Sequence, residues 1–296
     1  DISADALGYP ESYYTPPPEG LEEIQILRGA ASLQYGTQFG GLINFKIKEP
    51  KPEDIFELIT RNTAGSNNLF TNFTSLSSSN KKSSYYGYVN YKKGDGFRPN
   101  SEFESINTFQ NFNYNLNEKS KITGEITYME YLAHQAGGLS DFMFANDPFQ
   151  SNRERNWFEI KWFLYNLKYL LEISEDSSFS FSFFGLDAKR NSLGFRTNRV
   201  DQIDYGDERD LIKGNFKNFG FESRYLTNYS FFNRKSYLLL GVKYYNSYSQ
   251  STQGPGSNSK DADFNFDYAS FPNYVNQSEY SYPNKNLAIC GENIYY

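Results

Sequence analysis

Along most of this chain, apolar and polar residues alternate with a period of two. Phe163, Tyr165, Leu167, Tyr169, Leu171 and Ile173 fall on one side of an extended backbone, as the opposite-facing side chains of a β-strand require. Phe179, Phe181 and Phe183 alternate with Ser178, Ser180 and Ser182, and Leu238, Leu240, Val242 and Tyr244 alternate with Leu239, Gly241 and Lys243. Ile122, Ile126 and Tyr128 oppose Thr123, Glu125 and Thr127. The pattern predicts strands at roughly 55–64, 69–78, 83–93, 105–116, 120–132, 156–173, 177–190, 214–230, 235–250 and 286–296. No helical periodicity of useful length interrupts them.

The connections alternate in length. Residues 79–82, 117–119, 174–176 and 231–234 form tight polar turns, whereas 94–104, 133–155, 191–213 and 251–285 are long. Only 65–68 is short where the rhythm calls for a long loop. A membrane barrel has short turns on one side and long loops on the other. A soluble sandwich also alternates apolar and polar faces, but nothing in it favours this loop rhythm. The apolar face of 163–173 makes a band about as tall as a bilayer core.

Composition fits that reading. Aromatic residues make up 19% of the chain, with 26 Tyr and 27 Phe, which argues against disorder. Mean hydropathy is −0.69, and no apolar run is long enough for a spanning helix; barrel strands average out as polar in any case. A single cysteine, Cys290, rules out an internal disulfide framework. The net charge of −6 speaks against nucleic acid as a partner.

Catalytic chemistry has little to work with. His134 is the only histidine, so neither a His-based triad with a choice of partner nor a histidine metal cluster is on offer; it reads as structural or solvated, and no enzyme is expected. Asp261, Asp263, Asn265 and Asp267 follow the spacing of a calcium loop, but Phe266 and Pro272 occupy its diagnostic glycine and glutamate positions. The stretch reads as an acidic, aromatic loop. The long loops also carry Arg153, Arg155, Arg196, Arg199 and Arg209, whose guanidinium forks suit a carboxylate-rich anion. Arg153 and Arg155 are favoured because a strand begins at once after them. Acidic neighbours, from Asp201 to Asp210, leave a solvated mixed-charge loop as the alternative for the others.

Residues 21–48 are more specific than general β-protein sequence. Ile24 and Ile26 predict a short strand, residues 30–35 a turn and a half of helix stopped by Gly36, and residues 42–47 a second strand. Glu23-Ile24, Leu27-Arg28-Gly29, Ala31-Ser32-Leu33, Tyr35-Gly36 and Gly40-Gly41-Leu42-Ile43-Asn44 stand in an order and spacing that closely resembles the end of the plug domain of TonB-dependent outer-membrane receptors. Ala30 departs from the family's usual proline. Residues 8–20, GYPESYYTPPPEG, are most similar to the ferric-citrate-type branch.

The resemblance implies a mainly β fold. Residues 1–50 would be the C-terminal part of a plug, and residues 51–296 the N-terminal part of an antiparallel transmembrane barrel, about 10 of the 22 strands of such transporters. Both ends look cut, so a fragment is expected. Because a plug leaves the barrel on the periplasmic side, the long loops would be extracellular. The implied function is TonB-dependent uptake of a ferric chelate, a siderophore or ferric citrate, across the bacterial outer membrane. Outer-membrane lipid would surround the chain, and a TonB–ExbB–ExbD complex would pull on an N-terminal box that the sequence lacks. No cofactor is implied; iron enters only as part of the cargo. Arg28 would meet the barrel glutamates Glu125, Glu222 or Glu292 as a plug–wall gate, and Tyr13 and Tyr14 would touch ligand from the plug apex together with Arg153 and Arg155 from the loops. The same architecture could import a glycan, peptide or cobalamin. A passive structural barrel or adhesin, and a soluble glycan-binding β-protein, are the alternatives from other classes.

Overall fold

The computed structural model describes residues 15–28, 42–50, 56–197 and 199–295. Two antiparallel sheets make up the fold. In the smaller, β1 (Leu21–Leu27) pairs with β2 (Leu42–Ile47), with Ile24 opposite Phe45 and Ile26 opposite Ile43. The larger is a ten-stranded open meander in which every strand lies beside its sequence neighbours. Its strands are β3 (Glu57–Ala64), β4 (Phe70–Ser79), β5 (Ser83–Gly94), β6 (Phe103–Asn117), β7 (Ser120–His134), β8 (Trp157–Ser174), β9 (Ser177–Gly194), β10 (Arg209–Phe231), β11 (Arg234–Gly256) and β12 (Ser278–Tyr295). A short α-helix, α1 (Asp141–Asn146), sits in the loop before β8; Ser140 Oγ caps it by accepting from Met143 N at 3.3 Å.

The registers turn the alternating sequence into two contrasting faces. Leu167, Phe183, Phe221, Tyr244 and Leu287 stand opposite one another across five strands in a single row. Rings in this band touch, with centroids 5.2 Å apart for Phe183–Phe221 and 5.6 Å for Tyr165–Phe183. The band is nonetheless exposed, Leu167 at 52% and Ile289 at 80%. A contiguous apolar surface of this extent needs a non-aqueous neighbour.

On the opposite, inner face, Met129, Ile160, Trp162, Leu186, Ala188 and Phe216 form one buried cluster. A second contains Phe73, Tyr86, Tyr88 and Phe109, and Ile47 of β2 packs against it. Gly20, just before β1, comes so close to this face that a Cβ there would lie 2.8 Å from Tyr88 Cε1. The β1–β2 unit is thus seated on the inner face. Toward the tight turns the wall is polar and internally bonded: Asn113 Nδ2 donates to Asn111 Oδ1 at 2.6 Å, and Thr123 Oγ1 to Asn113 Oδ1 at 2.7 Å.

One end of the sheet carries only tight turns. Asn80 Oδ1 accepts from Lys82 N and Ser83 N at 2.9 Å each, an Asx turn. The last hairpin turns on Phe232 and Asn233, both left-handed with φ of 48° and 61°, the conformation that a two-residue turn between twisted strands demands. At the other end lie the longer loops, 95–102, 135–156, 195–208 and 257–277. Here the strands outrun the sequence expectation: β10 starts at Arg209 rather than 214, β11 continues to Gly256 rather than 250, and β12 starts at Ser278 rather than 286. In the β11 extension Ser251-Thr252-Gln253 is polar on both faces, so backbone pairing continues where the apolar alternation has ended, whereas the β10 extension adds the fully buried Leu211.

Candidate functional site

The longer loops are tied together by arginines whose side chains point inward. Arg155 comes just before β8 and is 5% exposed. Its Nε donates to Asp204 Oδ2 at 2.9 Å, its second terminal nitrogen bonds the other oxygen of that carboxylate, and Nη1 donates to the carbonyls of Asp207 at 2.8 Å and Asn258 at 3.1 Å. Burial pushes the Asp204 carboxyl up, but the Arg155 guanidinium and the Gly206 N–H outweigh it, so the carboxyl titrates below its ordinary range. Arg153, 6% exposed, donates to the carbonyls of Asn152 at 2.6 Å, Gln202 at 3.1 Å and Val200 at 3.3 Å, and to Thr197 Oγ1 at 3.2 Å.

Arg209 completes the block with 0% exposure. Its Nε donates to Ser257 O at 2.7 Å, Nη1 to Arg155 O at 3.0 Å and Asp261 O at 2.8 Å, and Nη2 to Ser257 Oγ at 3.0 Å and Ser259 Oγ at 3.1 Å. A guanidinium has five N–H donors, and all five are used. Arg98, which the sequence reading passed over, links the next loop by donating to Gly137 O at 2.8 Å. Nothing in its local sequence announces that contact.

Arg153 and Arg155, the sequence candidates for an anionic ligand, thus act as loop staples in this structure. Both guanidinium groups are largely withdrawn from solvent, and burying these charges is tolerable because loop oxygens surround them. What faces outward is mixed, with Arg199, Asp201, Glu154 and Lys260 exposed beside apolar side chains. A cleft of about 460 Å³ lies between loops 135–156 and 195–208, lined by Met143, Val200, Ile203 and Tyr205 and also by Arg153, Arg155 and Lys260. Tyr205 is 82% exposed, and Phe142, Phe144 and Phe149 project from the α1 region at 75%, 61% and 62%. The acidic loop residues serve local turns, with Asp263 Oδ1 accepting from Asn265 N at 3.1 Å and Asp267 Oδ1 from Ser270 N at 3.1 Å.

A second constellation lies on the inner wall. Glu125 and Glu222 line one cavity of about 350 Å³ with Asn166, Lys168, Ser180, Ser182 and Arg224. Glu125 accepts from Asn111 Nδ2 at 3.0 Å and Asn166 Nδ2 at 2.8 Å. Glu222 pairs with Arg224 and lies 4.0 Å from Lys243 Nζ. Glu292 lines a neighbouring cavity with Arg224, Leu239 and Tyr237. Arg28 follows the end of β1 and is exposed; among the described residues it meets neither Glu125 nor Glu222. Neutral amides bond Glu125 and wall cations flank Glu222. Asn44 lies on β2 and donates to Gln25 Oε1 across the small sheet at 2.7 Å. Tyr13, Tyr14, Gly29, Tyr35, Gly36, Gly40 and Gly41, with the expected helical turn at 30–35, lie outside the described residues.

This architecture recurs in known proteins. The chain superposes on the ferric citrate transporter FecA in its unliganded form with a TM-score of 0.73 at 18% identity, over 93% of this chain and 41% of that one. The ferric-catecholate import receptor Fiu from E. coli K12 in its open form gives 0.70 at 10% identity, over 93% and 47%. The ferripyoverdine receptor of the outer membrane of Pseudomonas aeruginosa, bound to ferripyoverdine, gives 0.71 at 12% identity, over 92% and 39%. No family model and no curated protein sequence matches the chain. The fold is that of the barrel wall of TonB-dependent siderophore and ferric citrate receptors, with the sheet left open. These neighbours are receptors and transporters, and the chain spans less than half the length of each.

Proposed function

We propose that this chain is part of a receptor that takes up a ferric chelate across the outer membrane, energised by a TonB-type complex. The observation that carries the reading is the ten-stranded meander with an exposed apolar band on one face and the β1–β2 unit seated on the other. A soluble sandwich would cover that band with a second sheet. In this reading residues 1–50 end a plug, residues 51–296 form barrel wall, and the band faces lipid. The stapled loops and the cleft beside Tyr205 then face the medium, and the Glu125–Glu222 cavity lies on the lumen wall that plug residues such as Arg28 pass. Tyr13 and Tyr14 are proposed as plug contacts to the ligand.

Capture rests on the cleft beside Tyr205, where apolar Met143, Val200 and Ile203 stand with Arg153, Arg155 and Lys260, and on hydrogen bonds from the loops and plug. The test is equilibrium binding by the intact receptor, purified in detergent, of ferric citrate, a ferric catecholate, a ferric hydroxamate and an oligosaccharide. Saturable binding of one ferric chelate, weakened at least severalfold by Tyr205→Ala, is expected. Saturable binding of the oligosaccharide, with none of the iron chelates held, would overturn the reading.

A further inference from the structure

The only histidine of the chain stands at the outer end of β7, at a junction of three loops, and the reading of the protein as a receptor makes no use of it. Its ring is 94% withdrawn from solvent, its side chain being 6% exposed. Nδ1 lies 2.7 Å from Glu102 Oε1, and Nε2 lies 3.0 Å from the carbonyl oxygen of Glu154. The Trp157 ring stacks on the imidazole at 4.1 Å between centroids and 7° between planes.

An ionised carboxylate and a backbone carbonyl only accept hydrogen bonds, whereas a neutral imidazole has one N–H and one lone pair. Either neutral tautomer would point that lone pair at an oxygen. Only the doubly protonated ring satisfies both contacts, and stacking on an indole face favours a cation there. We infer that His134 is held as an imidazolium that locks loops 95–102, 135–156 and 257–277 together, and that the lock loosens when the ring loses a proton.

The third loop enters through the second layer of the junction. Lys260 Nζ donates to Glu154 Oε2 at 2.6 Å, and Trp157 Nε1 donates to the Lys260 carbonyl at 2.8 Å. The residue that accepts from His134 and the residue that stacks on it are thus both bonded to Lys260. The other charged groups of the neighbourhood are Lys93, Asp95 and Glu104, which share a groove with Glu102 and Trp157, and Asp204, whose charge acts on Glu154. Glu102 remains half exposed, with 47% of its side chain open, so solvent protons reach the junction directly. The sign follows from the donors: the closed junction binds one proton more than the opened one, so closure is favoured in mild acid and weakens as pH rises. The outer mouth would be stiffer in acidic surroundings than in alkaline ones, whatever the cargo.

The test uses the intact receptor in detergent, with ¹⁵N-labelled histidine and with amide exchange corrected for the intrinsic effect of pH. Measurements are made at about pH 5.5 and about pH 8.5, on either side of the range in which histidine titrates. The His134 signals are identified by their loss in His134→Gln. Both ring nitrogens should carry protons at the lower pH and one at the higher, and protection of 95–102, 135–156 and 257–260 should fall about tenfold on the rise, the worth of one net hydrogen bond. His134→Gln should abolish that pH dependence. A neutral ring at the lower pH, or the same pH dependence in His134→Gln, would overturn the inference. If His134→Gln does not fold, Glu102→Gln identifies the signals by their shift, and the wild-type ring decides.

Discussion

Arg209 shows how a single side chain can set the character of a whole surface. Its guanidinium is fully buried without a directly bonded carboxylate; carbonyls and hydroxyls of the loop after β11 and the carbonyl of Arg155 take its five hydrogens. Burial, and the charge of Arg155 beside it, lower its pKa to about 10 at this solvent end of β10. The group still holds its proton at neutral pH. Lysine keeps the charge but offers three donors from one atom, so Arg209→Lys would leave buried oxygens unsatisfied at a cost on the order of 3 kcal/mol. Thermal unfolding of the intact receptor should show that loss, and limited proteolysis should cut first within 257–277. An unchanged midpoint and cleavage pattern would mean the staple carries no structural weight. Arg153 and Arg155 stand out in the sequence, but their bonding partners do not. Whether a loop arginine faces ligand or its own neighbours depends on carbonyls up to 103 residues away, as with Asn258 O on Arg155.

Among the elements, close strand packing singles out Gly185 on β9. A Cβ there would meet Tyr165 Oη at 2.2 Å and the Asn218 carbonyl at 2.6 Å. Backbone on one side cannot move away without shifting β10. Gly124 on β7 has nothing within 4 Å of the same position. Gly185→Ala should therefore sharply reduce the yield of folded, heat-modifiable barrel on gels, while Gly124→Ala leaves it within the range of wild type; equal yields for both would contradict the register. The elements were the most readable level of this sequence. Strand existence, order and tight turns follow from the period of two and from residues such as Asn80 and Asn233. The outer strand ends did not, because beyond the apolar band Thr252 or Tyr280 no longer report a buried face. Only the hydrogen-bond ladder, opposite Lys213 and Ser251 respectively, shows that the strands persist there.

At the scale of the molecule, the two faces of the large sheet decide what surrounds it. If the Leu167 row lies at mid-bilayer, Leu167→Arg should destabilise the barrel in lipid by about 2–4 kcal/mol, whereas Gln250→Arg, on the same face above the band, should cost about 0–1 kcal/mol. Folding titrations in vesicles distinguish the two, and equal costs would place the band somewhere other than in lipid. The family likeness was legible in residues 21–48, and β1 and β2 form the strand pair that those residues imply. The proposed mode of ligand capture was not legible, since no spacing rule connects the loop residues that the proposal uses, such as Tyr205 and Met143. The most direct test of the central claim is uptake of radiolabelled ferric chelate by iron-starved cells whose own ferric-chelate receptors have been deleted and which carry the intact receptor. Accumulation that stops when the proton gradient across the inner membrane is collapsed is predicted. Entry that continues without that gradient, or no entry of any ferric chelate by a correctly folded receptor, would contradict the account.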